Sequence, residues 1–108
     1  MSNQKLTEKE RDELLQNFIN AWGEDSQKMM AIEEMSELIK ELCKSWRDLD
    51  DADKMAENKH NICSEIADVL ITVGQMRRIY GAEEVDDIMD YKLKRGAKRL
   101  AEHMEKSK

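Results

Sequence analysis

At 108 residues the chain holds one domain with a thin core, and the absence of proline, the four glycines and the 39% of charged residues leave no sheet-forming segment, so an all-α fold is expected. A net charge of −6 argues against a nucleic-acid polymer as the main partner, although a metal-bridged phosphate ligand stays compatible with it. The amino-terminal MSNQKLTEKE lacks the apolar core of a signal peptide and no run is long enough to span a bilayer, so a cytoplasmic protein without membrane contact is expected.

Thr7 followed by Glu10 has the form of a capping box, which predicts a first helix from about Glu8 to Trp22. Its apolar stripe is Leu14, Leu15, Phe18, Ile19 and Trp22. Gly23 ends it, and Asp25 or Ser26 is the expected cap of a second helix reaching about Trp46, with the heptad-like series Ile32, Met35, Ile39, Leu42 and Trp46. An acid-rich connection over 48–53 leads to a third helix from about Met55 to Tyr80, where Gly81 breaks it. The fourth runs from about Glu83 to Met104. Its start is acidic (Glu83, Glu84, Asp86, Asp87) and its end basic (Lys92, Lys94, Arg95, Lys98, Arg99), as the helix dipole favours. The expected architecture is a four-helix, mostly antiparallel bundle in one domain over residues 1–108. Cys43 and Cys63 fall within helices and read as reduced core residues.

The third helix carries the most informative segment. From Ile62 to Met76 it reads ICSEIADVLITVGQM, and Glu65 and Asp68 are its only charged residues. Two ionised groups in a buried segment are costly unless they pair or bind metal. They stand three residues apart, on one side of the helix. Glu34 and Glu37 repeat that spacing on the second helix, with Glu41 one turn later. Side by side, the two helices would bring together Glu34, Glu37, Glu65 and Asp68, an all-oxygen donor set of the kind Mg²⁺ takes. Two alternatives remain open on spacing alone: a solvated face for the second-helix glutamates, and ion pairs with Arg or Lys for Glu65 and Asp68.

The pattern Glu33-Glu34-Met35-Ser36-Glu37, then Glu65-Ile66-Ala67-Asp68, resembles the EExxE and ExxD signature of the all-α nucleoside triphosphate pyrophosphatase superfamily. That group includes MazG, the dimeric dUTPases, the dCTP pyrophosphatases and phosphoribosyl-ATP pyrophosphohydrolase. Trp22-Gly23 with Gln27, AIEEMSELIKEL, EIADVLI and the basic KLKRGAKR run extend the resemblance over about residues 18 to 100. It implies Mg²⁺, with Mn²⁺ as a substitute, held by Glu34, Glu37, Glu65 and Asp68. It also implies hydrolysis of a nucleoside triphosphate to the monophosphate and pyrophosphate as nucleotide-pool house-cleaning. Glu33 or Glu37 would take the proton of the attacking water. Phosphoribosyl-ATP hydrolysis and a non-catalytic helical interaction protein are the other readings.

Lys92, Arg95 and Arg99 share a helix face suited to gripping phosphates, or to solvent. Trp22 and Trp46 offer rings for stacking on a base or for an interface, and Asn61 stands one turn before Glu65. Gly96 weakens its helix by about 1 kcal/mol relative to Ala, which close approach of a ligand or another helix would explain. His60 and His103 have no ligand spacing with the cysteines, which argues against zinc. A thin unit with apolar stripes on several helix faces is expected to form a homodimer or homotetramer.

Overall fold

The computed structural model describes residues 5–107, which form four helices and no strand: α1 (Glu8–Trp22), α2 (Glu24–Arg47), α3 (Ala52–Tyr80) and α4 (Ala82–Lys106). The capping box opens α1 as the sequence predicts. Thr7 Oγ1 accepts from the Glu10 amide at 3.1 Å, and Glu10 Oε1 accepts from the Thr7 amide at 2.9 Å. Gly23 alone links α1 to α2, at φ +87°, a conformation that glycine adopts without steric penalty. It also replaces Asp25 and Ser26 as the cap, so α2 begins at Glu24. Asp51 caps α3, its carboxylate accepting from the Lys54 amide at 3.1 Å, and the helix therefore starts three residues before the expected Met55.

The helices α2 and α3 pair along their lengths as a hairpin, α1 rests on both, and α4 packs on α3 alone. The four-helix bundle expected from the sequence is therefore not closed within one chain. Gly74 lets α1 lie close to α3, since a Cβ there would come 2.9 Å from Leu15 Cδ1. Arg78 Nη2 reaches Asp12 Oδ1 at 3.1 Å across the same pair of helices. The Arg77 guanidinium donates from Nε to Asp86 Oδ1 at 2.9 Å and from Nη2 to Asp86 Oδ2, bridging the Gly81 break between α3 and α4.

What the hairpin encloses is the reverse of an ordinary core. Among the described residues the buried apolar side chains are Ile19 and Ala31, whereas Gln27, Asn58, Thr72 and Gln75 are buried polar ones. On α3 the inward row is Asn58, Asn61, Glu65, Asp68, Thr72 and Gln75, spaced alternately three and four residues apart. The α2 heptad expected to build a core faces out instead: Ile39 is 62% exposed and Trp46 76%. The same holds for much of the 62–76 segment, where Ile66, Leu70, Ile71 and Val73 are exposed. Cys43 and Cys63 are likewise free and exposed, not core residues. Exposed apolar surface on this scale is the informative departure, because scattered surface leucines alone would carry no message.

The dimensions agree. The chain exposes 9154 Å² of surface, against roughly 6,200 Å² for a folded monomer of this mass. Its radius of gyration is 18.0 Å, against about 13 Å for a compact domain of this length. Every residue of α4 from Asp87 to Lys106 is exposed, including Ile88, Met89, Leu93, Leu100 and Met104. No helix among the described residues is long and apolar enough to cross a membrane.

Candidate metal centre and adjoining cleft

The pairing of α2 with α3 brings Glu34, Glu65 and Asp68 together, each offering a carboxylate oxygen within 4.8 Å of the others. All three are half-buried. Glu34 is pushed above the ordinary carboxylate range by burial first, then by the charges of Asp68, Glu65 and Glu37. Glu65 is pushed up in the same way, by burial and then by Asp68, Glu37 and Glu41. Glu37 thus stands close enough to act on both, although its own side chain is exposed. Glu33 is exposed as well and lies outside the three-carboxylate group.

Of the alternatives left open by spacing, ion pairing does not occur: among the described residues no Lys or Arg lies within 4.0 Å of Glu34, Glu37, Glu65 or Asp68. Three basic side chains pair with other carboxylates, Arg77 with Asp86, Arg78 with Asp12 and Lys44 with Glu41 at 3.4 Å. The solvated face holds for Glu33 and Glu37, which are exposed, but not for half-buried Glu34, and on the facing helices Glu65 Oε2 and Glu41 Oε2 are enclosed and accept no hydrogen bond. A buried carboxylate oxygen without a donor is costly, and a divalent cation would relieve both that and the mutual repulsion. The donor set is wholly oxygen and anionic, which suits a hard cation. Glu41 lies outside the three-carboxylate group, although its charge acts on Glu65 and one of its oxygens is enclosed.

A cleft of about 240 Å³ includes two of the carboxylates, Glu34 and Asp68, in its lining, together with apolar Phe18, Trp22, Met30 and Ile71 and the buried polar Gln27, Thr72 and Gln75. The Phe18 and Trp22 rings lie 5.6 Å apart at a 30° tilt. Trp22 is therefore brought to the site, whereas half-buried Asn61 does not line the cleft and Trp46 belongs to a separate shallow groove with Ile39 and Leu42. Lys92, Arg95 and Arg99 are not brought to it within the chain, since α4 touches neither α1 nor α2. Arg95 instead sits over the Tyr91 ring, 5.9 Å from its centroid. Around Gly96 there is open space, with nothing within 4 Å of an added Cβ.

No family model, characterised protein or solved structure matches the chain. Two of the residues that define the cleft, Thr72 and Gln75, stand four and seven positions after Asp68, and this polar row through an apolar helix was the available signal for them.

Proposed function

We propose that the protein is a Mg²⁺-dependent nucleoside triphosphate pyrophosphohydrolase that works as a homo-oligomer. The observation that carries the reading is the convergence of Glu34, Glu65 and Asp68 from two helices with no basic partner and with Glu65 Oε2 left enclosed. Glu34, Glu65 and Asp68 would hold the cation, with Glu37 at their edge. A divalent cation bound there supplies neutralisation of the triphosphate and acidification of a water.

The residues of the chain do the rest. Glu37, exposed and one helical turn from Glu34, accepts the proton of the attacking water. The water oxygen bonds to the α-phosphorus while the bond from that phosphorus to the bridging oxygen breaks, so the products are a nucleoside monophosphate and pyrophosphate. Glu34 and Asp68 face both the cation position and the cleft, which sets the direction in which a substrate lies across the site.

Oligomerisation follows from the surplus surface, above all from α4. Val85, Met89, Leu93, Gly96, Leu100 and Met104 form one stripe on that helix, exposed in the single chain. A second copy covering it would bury the stripe, and Gly96 at its centre admits a close helix crossing. Lys92, Arg95 and Arg99 border the same stripe, so a neighbouring subunit can bring them to the phosphates. The deciding assay is pyrophosphate release from a panel of canonical and modified NTPs and dNTPs, in Mg²⁺ and in EDTA. Metal-dependent release supports the reading, and silence on every nucleotide contradicts it. A helical interaction protein with no turnover is the rival, and it expects no effect of Mg²⁺ on melting.

A further inference from the structure

We infer that the side of the α2–α3 hairpin turned away from α1 is a dimer interface, covered by the same face of a second copy so that two hairpins close one four-helix bundle. This extends the oligomer part of the proposed function and does not depend on turnover.

The register of the hairpin defines the face. On α2 the row Gln27, Ala31, Glu34, Leu38, Glu41 and Ser45 is buried or half-buried, and α3 packs on it with the row from Asn58 to Gln75 given above. The helices run antiparallel: Asn58 Nδ2 donates to Asp48 Oδ2 at 3.1 Å at one end, and Glu34 meets Asp68 towards the other. Each residue turns a helix by about 100°. The positions just before the inward rows face α1. Met30 lines the cleft with Phe18 and Trp22, Ala67 and Ile71 line a groove with Leu14 and Leu15, and Gly74 meets Leu15. The positions just after the inward rows therefore lie on the opposite side, and antiparallel helices share that side. Lys28, one position after Gln27, and Tyr80 of α3 belong to these two outer rows and meet, the ammonium 5.0 Å from the ring centroid.

Between those ends the face is wholly apolar. The α2 row is Ile32, Met35, Ile39, Leu42 and Trp46, and the α3 row is Ile62, Ile66, Val69, Val73, Met76 and Tyr80. Both rows step alternately by three and four residues, the spacing of a coiled-coil seam. All five α2 side chains are exposed, as are Ile66, Val73 and Tyr80.

Three features select a second copy as the occupant. A face without charges offers nothing to an ionic partner, whereas across a two-fold axis it meets itself with no like charges opposed. The chain exposes about 2,900 Å² more than a compact monomer of its mass. A standard dimer takes roughly 800 Å² from each partner, so the surplus accommodates this face together with the α4 stripe. The Tyr80 end adjoins Gly81, where α4 leaves the hairpin, so the face runs on towards that stripe and one copy can cover both. The carboxylates lie between the helices and the cleft on the α1 side, so such a dimer leaves them open.

The test is sedimentation of the native chain, Ile39→Glu, Val73→Glu, the apolar Ile39→Met and, as a control on an exposed α1 position, Asn17→Glu. Circular dichroism follows the helix content, and Trp46 emission is read in a Trp22→Phe background. The native chain, Ile39→Met and Asn17→Glu are expected as a dimer or larger, with Trp46 emission shifted to the blue of free tryptophan. Each glutamate places two like charges across the axis and should raise the dissociation constant at least roughly 100-fold, with helix content kept and Trp46 emission moved to the red. A native monomer, glutamate variants that sediment like the native chain, or a native dimer whose Trp46 emits as in water would overturn the inference. If the glutamate variants unfold, Trp46 emission in the otherwise native chain decides. Pyrophosphate release by a chain that Ile39→Glu leaves dimeric would keep the hydrolase reading and remove this face. A dimer that Ile39→Glu disperses, silent on every nucleotide, would do the opposite.

Discussion

Glu34 of α2 and Asp68 of α3 face each other with carboxylate oxygens within 4.8 Å, and both also border the cleft that holds Gln27 and Gln75. Two like charges from different helices at this distance oppose the pairing that creates them. The hairpin therefore carries a local conflict that a bound cation would relieve, so the proposed metal binding is expected to register as folding stability.

Replacing Glu34 by Gln removes part of that repulsion. The metal-free protein is expected to melt roughly 2–4 °C higher, and the proposal expects Mg²⁺ to stabilise the native chain but not this variant. Differential scanning fluorimetry in EDTA and in Mg²⁺ measures both. Glu57→Gln, on an exposed position of α3 outside the cluster, should change neither. A Glu34→Gln chain that still gains stability from Mg²⁺ would remove this carboxylate from the site.

For Glu37→Gln the expectation is different, because the proposed mechanism gives this residue, at the edge of the cluster, the role of base. Turnover should fall roughly 100- to 10,000-fold, with the overall fold kept. Steady-state pyrophosphate release together with circular dichroism checks the pair of statements. A variant within a few-fold of the native rate would hand the proton to another group, with Glu33 the next carboxylate to test.

The stripe on α4 predicts the assembly state. Sedimentation at micromolar concentration should give a dimer or larger for the native chain. Leu93→Glu and Leu100→Glu place charges on the stripe and should drive the protein to monomer, with loss of activity if the neighbour brings Arg95 or Arg99 to the phosphates. A native chain that sediments as a monomer would contradict the covering of α4 by a second copy.

The Arg77–Asp86 pair gives a pH dependence with a definite sign. The Arg77 hydrogen bond, more than its charge, holds the Asp86 carboxyl below its ordinary value of 3.8. A carboxyl depressed in the folded state binds its proton less readily there than in the unfolded chain, so its stabilising contribution is present above 3.8 and is lost as pH falls through the folded value. Amide exchange at the start of α4 should therefore quicken as the solution is acidified below that point. Asp86→Asn should show the faster exchange already at neutral pH and lose the dependence.

Legibility from sequence follows the range of the interactions concerned. The four helices were readable because their signals are local: the Thr7–Glu10 box and the glycines at 23 and 81. The pairing of Glu34 with Glu65 and Asp68 was also readable, since three-residue spacing fixes a face and two such faces suggest each other. Which face of each helix turns inward was not. Hydrophobic periodicity assumes that the chain buries its own apolar stripe, and Ile32, Ile39, Leu42 and Trp46 instead face outward while Gln27, Asn58, Thr72 and Gln75 take the interior. A stripe meant for another surface looks identical in sequence to one meant for the chain's own core. The enclosure of Glu41 Oε2 is illegible for a similar reason, because a third glutamate on a glutamate-rich helix gives no hint of it.

The central claim is hydrolysis at the α-phosphorus by the carboxylate cluster, and one measurement bears on it most directly. The preferred nucleotide is incubated with the protein in heavy-oxygen water, in Mg²⁺ and in EDTA, and the products are weighed by mass spectrometry. The account expects equal amounts of monophosphate and pyrophosphate, the label in the monophosphate alone, and no products in EDTA. Label in pyrophosphate or orthophosphate, or no product from any nucleotide in Mg²⁺, would contradict it.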